Sequence, residues 1–248
     1  MEYSAFEAAF IAIFEKNGLN HFCASEFIAC FYEFTEYFLA ENAKTNLSAI
    51  RTPEEMIAKH YADCLLAEPL LPQNAVVLDV GCGGGFPCVP FAIVRPDLQI
   101  TAIDSTQKKI AFVQSAAKTL NIGNLSCVSG RIEEKSQEKL RGAFDLVVSR
   151  AVANLPVLAE LTLPFAKPGG AMLALKGAKG AAELAAAQSA IAKLGGVLES
   201  DRETILYCPA GQGSDWQPEA RHLLLIRKRS QTPPQYPRSY ATFLKRPL

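Results

Sequence analysis

The stretch Val76–Asp104, VVLDVGCGGGFPCVPFAIVRPDLQITAID, constrains the fold more than any other part of the chain. Val76–Val80 is a short, β-branched apolar run of the kind found in a strand buried on both faces. It passes into a glycine cluster, Gly81, Gly83, Gly84 and Gly85, and a second apolar run, Leu98–Ile103, ends in Asp104. Glycine accepts positive φ and lets the backbone lie close against a ligand, so the pattern predicts a strand, a receptive turn and a helix. In a parallel α/β unit the acid at the tip of the next strand is placed to accept both hydroxyls of a ribose. An adenosine-containing cofactor is therefore the candidate ligand. The bland alternative is a tight turn with no ligand, and the combination of strand, loop and strand-end acid argues against it.

The spacing departs from the dinucleotide fingerprint. Gly81, Gly83 and Gly85 give G-x-G-x-G, and Phe86-Pro87 follows where the fingerprint wants a last small residue. Pro87 and Pro90 suit the first turn of a helix, whereas Phe86 crowds the place of a pyrophosphate. A cofactor without phosphates fits better, chiefly S-adenosylmethionine. The same two features disfavour a nicotinamide-dependent oxidoreductase.

At 248 residues the chain has room for one large domain, or one domain with an appendage. Lys and Arg number 25 against 25 Asp and Glu, so the overall balance does not announce a nucleic-acid binder. The distribution is uneven, with nine acids and four bases in residues 1–60, and seven bases without an acid in 221–248. No apolar run reaches membrane-spanning length, and the start MEYSAFEAAF lacks the basic region of a signal peptide. Seven cysteines, with no C-x-x-C pair, predict reduced thiols and a cytoplasmic protein; three scattered histidines predict no metal site. Nothing demands a partner subunit, and a monomer is expected.

Residues 1–66 read as helices, 67–228 as the main domain and 229–248 as an extended, basic, proline-containing tail. Phe27, Phe31, Phe34 and Phe38 share one helical face. Such a stripe could stack bases, but packing against the main domain is the expected role. Thr52-Pro53-Glu54-Glu55 is a helix start with Thr52 as cap. His60 and Asp63, one turn apart on that helix, suggest a structural pair. Further strands are expected at Leu125–Ser129, Phe144–Ser149, Ala171–Leu175 (after a sharp turn at Lys167–Gly170), Val197–Leu206 and His222–Lys228. Helices are expected at Ser105–Leu120, Leu155–Leu163 and Gly180–Leu194. This alternation predicts an α/β fold, a doubly wound, mostly parallel sheet with an N-terminal helical extension. Ligands bind at the carboxyl ends of such strands, where Gly81–Gly85, Asp104, Ile132-Glu133, Arg150 and Lys176 all fall. One shared site is the expectation.

Five pieces carry a more specific resemblance: TNLSAIRTPEEMIAKH, DVGCGGGFPCVP, AIDSTQKK, SRAVANLPVL, and LKG with the closing TPPQYPR and KRPL. They run in the order of the glucose-inhibited division protein B family, the ribosomal RNA small-subunit methyltransferases G, and nearly span the chain. The resemblance implies a class I S-adenosylmethionine-dependent methyltransferase, Rossmann-like in fold, that methylates N7 of a guanine in 16S rRNA or the small ribosomal subunit. Carried onto this sequence, it implies that Gly81 and Phe86 line the methionine end of the cofactor. Gly83 would lie beside the cofactor in the tightest part of the loop. Asp104, Ser105 and Thr106 would hold the ribose, Ile132 and Glu133 would flank the adenine, and Arg150 would reach into the site. Cys82 and Cys88 stand where the family usually has Ser or Thr and Gly, and Ala241 and Phe243 replace a Gly and a Pro.

Guanine N7 offers a lone pair and no proton, so methylation there needs no general base, and no convincing one is present. Arg150 and Lys176 are candidates for orienting the substrate through guanine O6 or a phosphate. Arg229, Arg238, Lys245 and Arg246 are expected to grip RNA phosphates, with the cofactor held by residues 81–150 alone. The alternatives are a methyltransferase acting on a small molecule or protein, and a non-catalytic RNA-binding module that keeps a cofactor-like fold.

Overall fold

A computed structural model describes residues 1–210 and 215–248. Seven strands form one sheet in the order β3-β2-β1-β4-β5-β7-β6. Here β1 is Val76–Val80, β2 Gln99–Asp104, β3 Leu125–Ser129, β4 Phe144–Arg150, β5 Ala166–Gly177, β6 Gly196–Pro209 and β7 Trp216–Lys228. The first five strands pair in parallel, and β5–β7 and β7–β6 pair antiparallel. The order reverses between β1 and β4, which puts the crevice for a ligand at their carboxyl ends.

The helices are α1 (Tyr3–Lys16), α2 (Ser25–Thr45), α3 (Pro53–Met56), α4 (Asp63–Leu65), α5 (Cys88–Val94), α6 (Gln107–Thr119), α7 (Leu155–Thr162), α8 (Gly180–Lys193) and α9 (Tyr240–Lys245). Alternate strand residues face opposite layers. Val77, Ile100, Val148 and Leu173 join the core shared with α1, α2, α5 and α6. Leu78, Ile103 and Val147 pack with α7 and α9, and Met172, Ala174 and Leu224 with α7 and α8. On α2, Phe31, Phe34 and Phe38 are fully buried, so the aromatic stripe is core. The Phe38 ring lies 5.4 Å from that of Phe86, and a Cβ on Gly84 would come within 2.7 Å of it. The N-terminal helices thus brace the glycine loop. α2 ends at Asn46 in the left-handed region, a common stop for helices.

Thr52 caps α3 by accepting from the Glu55 amide, with Pro53 in the first turn. Between α3 and α4 the chain runs through a π-helical stretch, Ile57–Ala62, which contains His60. Such bulges often occur at functional sites.

Two sequence expectations change. The sharp turn at Lys167–Gly170 lies inside β5, which begins at Ala166 and takes up the extra residues by a register shift against β4. Nor is the tail extended: α9 forms within it, and Phe243 is fully buried. Arg141 holds the tail by donating to the carbonyls of Thr232 (2.7 Å), Pro233 (3.1 Å) and Tyr236. Arg238 makes a two-pronged ion pair with Glu160 of α7, at 2.8 and 2.6 Å. Glu160 is fully buried, so Arg238 is committed to neutralising it. Of the four tail cations, Arg229, Lys245 and Arg246 remain exposed. No helix among the described residues is long and apolar enough to cross a membrane.

Candidate active site

A cavity of about 460 Å³ opens at the carboxyl ends of β1, β2 and β4. Gly81, Gly83, Phe86, Asp104, Ser105, Thr106, Ile132, Glu133 and Arg150 all line it. Its floor is backbone. The amides of Gly81 and Cys82 both donate to the Ile103 carbonyl, at 2.8 and 3.2 Å. Asp104 ties the two strand ends together, Oδ2 accepting from the Gly83 amide (3.0 Å) and Oδ1 from Thr106 (2.8 Å). A carboxylate oxygen has a second lone pair, so both can still accept from a ligand hydroxyl.

Gly83 has φ of +56° but is not the tightest point of the loop, since an added Cβ there would meet nothing within 4 Å. Gly81, at φ +76°, is tighter: a Cβ would lie 2.4 Å from Cγ2 of Val152. Val152 belongs to the loop after β4, whose Ala151 is itself held at φ +57°. That loop closes over Gly81.

Beneath the loop, Asp79 is fully buried. Its Oδ2 accepts from the Cys88 amide at 3.0 Å, while Oδ1 has no partner. Burial pushes its carboxyl up to about 7. Glu133 also lines the cavity, and its Oε1 is likewise buried without a hydrogen bond, Arg131 standing 3.7 Å away. An orphaned acceptor in a cleft wall suits a ligand that brings an N–H.

Several contributors went unmarked as site residues in the sequence. Leu47 and Ser48 come from the segment after α2, His60 from the π-helical turn, and Tyr240 from the tail. The cavity is therefore not the work of residues 81–150 alone. The His60 ring stacks on Phe86 (centroids 3.9 Å apart, planes at 17°). Its Nδ1 lies 2.8 Å from Arg150, which can only donate, so Nδ1 accepts and Nε2–H donates to Ser48 Oγ at 3.0 Å. Burial, aided by the Arg150 charge, lowers the imidazole to about 3 and keeps it neutral. Tyr240 has the Arg131 guanidinium 4.3 Å from its ring centre and packs edge-on against Phe243. No local pattern placed Tyr240 in this cleft, since its position depends on Phe243 being buried in one cluster with Ile132, 111 residues earlier in the chain.

His60 and Asp63 do not pair with each other; both engage Arg150, Asp63 Oδ2 at 2.8 Å. Asp63 Oδ1 accepts from Arg221 at 2.6 Å, so one carboxylate bridges two guanidiniums. Lys176 is absent from this first cavity. It lines a second one, of about 380 Å³, that shares Arg150 and Ala151 with the first. His222, on β7, pairs with Asp201 at 3.0 Å, and Glu203 lies close to both.

The family model for rRNA small subunit methyltransferase G (GidB) matches residues 28–204. The chain belongs to this family. Curated small-subunit rRNA methyltransferases G include one from Leuconostoc citreum, 37% identical over 97% of this chain and 98% of its own length. Another, from Halalkalibacterium halodurans, is 42% identical over 84% and 85%. A precorrin-6y C5,15-methyltransferase structure from Geobacter metallireducens GS-15 superimposes with a TM-score of 0.54 at 14% identity, covering 74% of this chain and 91% of that one. This last likeness shows the fold, that of class I methyltransferases. As a methyltransferase G family member, the chain is an enzyme that uses a methyl donor of the S-adenosylmethionine type.

Proposed function

We propose that the first cavity binds S-adenosyl-L-methionine and that the enzyme methylates N7 of a guanine in 16S rRNA, as free RNA or within the small ribosomal subunit. The observation that carries this is the pairing of family membership with a cleft lined by two carboxylates, Asp104 at a strand tip and Glu133, whose Oε1 has no hydrogen bond. When bound, S-adenosyl-L-methionine supplies an electrophilic methyl group on a sulfonium.

Asp104 accepts from the ribose hydroxyls with Ser105 and Thr106 beside it, while Ile132 and Glu133 flank the adenine and Oε1 of Glu133 takes an amine N–H. Gly81, Gly83 and Phe86 bound the methionine end, where bare backbone permits close approach. Tyr240 covers the adenine side. Arg150, fixed by Asp63, His60 and the Lys59 carbonyl, keeps the wall between the two cavities rigid. No residue has to remove a proton. His60, the nearest imidazole, is engaged through both nitrogens and is not a base. The residues accelerate the reaction by alignment in a water-poor pocket.

The test is mass spectrometry of nucleosides from 16S rRNA incubated with the protein and S-adenosyl-L-methionine. 7-Methylguanosine is expected at a single position. A different methylated nucleoside, or none on RNA and on small subunits alike, would overturn the assignment.

A further inference from the structure

From the second cavity we infer a guanine-reading subsite built from Lys176 and Glu183, an inference that rests on the proposed function and deepens it. The cavity adjoins the cofactor cleft through Arg150 and Ala151, so a base seated in it lies next to the first cavity. Its size is within the range that accommodates small ligands. Lys176 comes from the end of β5 and is only 8% exposed. An ammonium has three N–H donors. Two are used, on the Ala153 carbonyl at 2.7 Å and Glu183 Oε2 at 2.6 Å, which leaves one. Glu183 Oε2 also accepts from the Leu155 amide at 2.8 Å, while Oε1 accepts from no described residue.

A spare donor therefore stands beside a spare acceptor. Guanine presents the complement, with O6 as acceptor next to the N1–H and N2–H donors. Adenine reverses the polarity, offering an amine and an unprotonated N1. Lys176 donates to O6, and Glu183 accepts from the N1–H and N2–H edge. Asp63 and Glu183 line the cavity together with Arg150, Lys176 and Arg221, and ion pairs join the two sets. The spare donor and acceptor, rather than net charge, therefore single out a base as occupant.

The test crosses atoms of the substrate with side chains of the enzyme, so that intrinsic reactivity cancels. Single-turnover transfer is measured on small-subunit RNA carrying guanosine, 6-thioguanosine or inosine at the modified position. Wild type should lose on the order of tenfold with either analogue, the usual scale for one charged hydrogen bond. Lys176→Met should be nearly indifferent to 6-thioguanosine, and Glu183→Gln to inosine. Independently of turnover, the unloaded protein is titrated with GMP and AMP by NMR. Wild type should prefer GMP, and each variant should lose that preference. Cofactor affinity by calorimetry within about twofold of wild type certifies the fold; should Lys176→Met not fold, the near-isosteric Glu183→Gln carries the test. Equal penalties in wild type and variants, or no preference for GMP, would overturn the subsite. A wild type that prefers GMP yet methylates no RNA would instead remove the functional reading and leave the subsite standing.

Discussion

The two cavities share a wall but are made of different material. The first is shaped by backbone: glycine amides, the Ile103 carbonyl, and a carboxylate that straps two loops together. The second is shaped by charged side chains that hold one another, Arg221 to Asp63 to Arg150 on one side and Lys176 to Glu183 on the other. A backbone-built site tolerates side-chain change and is sensitive to added atoms. A charge-built site is the reverse, since removing one partner leaves another buried and unpaired.

The largest effect should follow from breaking the second kind of site. Asp63→Ala leaves buried Arg150 without a carboxylate partner and Arg221 with Glu219 alone, and should cost about 3–5 kcal/mol of stability in denaturant unfolding. A loss of under about 1 kcal/mol would mean that the network is solvated and the contrast overstated.

The next effect concerns pH, because two buried groups near the first cavity titrate in opposite senses. His60, lowered to about 3 in the fold, stays neutral while the unfolded chain takes up a proton below about 6.5, so its contribution to stability is lost as pH falls through that window. Asp79, raised to about 7, binds its proton in the fold before the unfolded chain does, so its contribution grows as pH falls from 7 toward 4. Between about pH 4 and 6.5 the two slopes oppose. Asp79→Asn removes one of them, and its stability should then fall with acid by roughly 1 kcal/mol more per pH unit than wild type's. Parallel pH profiles for the two proteins would refute this.

How far the sequence revealed each cavity follows from the same contrast. Glycines and a strand-end acid announce a backbone-built site because few other residues adopt those conformations or sit at that register, and Gly81, Asp104 and Glu133 do meet in one cleft. The parallel core of the sheet was legible for a similar reason, from apolar runs alternating with helical spacing. Charge networks leave no such local mark. His60 and Asp63 looked like partners from their spacing, yet a π-helical turn directs both to Arg150, some 90 residues on. The tail misled in its shape. Its prolines and bases suggested an extended segment, while Phe243 and the Arg238–Glu160 pair draw it into the core and bring Tyr240 to the first cavity.

Tyr240 tests whether the first cavity is wholly a backbone site. Tyr240→Ala should weaken S-adenosyl-L-methionine binding by about 1 kcal/mol, the scale of one aromatic contact, and Tyr240→Phe should not. Unchanged affinity in Tyr240→Ala would place the tail outside the cofactor's reach. The smallest effect belongs to the surface. Replacing Arg229, Lys245 and Arg246 by Gln should flatten the dependence of log K for RNA on log salt by about 2, with cofactor affinity unchanged. A full salt slope in that variant would assign the RNA phosphates to other cations.

The division of labour between the cavities is tested most directly by calorimetric titration of S-adenosyl-L-methionine into Asp104→Ala and Lys176→Met side by side. Asp104→Ala should lose about 1.5–3 kcal/mol of cofactor binding, the range for hydrogen bonds to a charged group, and Lys176→Met should stay within about twofold of wild type. Normal binding by Asp104→Ala, or an equal loss in Lys176→Met, would contradict the assignment of cofactor to the first cavity and acceptor base to the second.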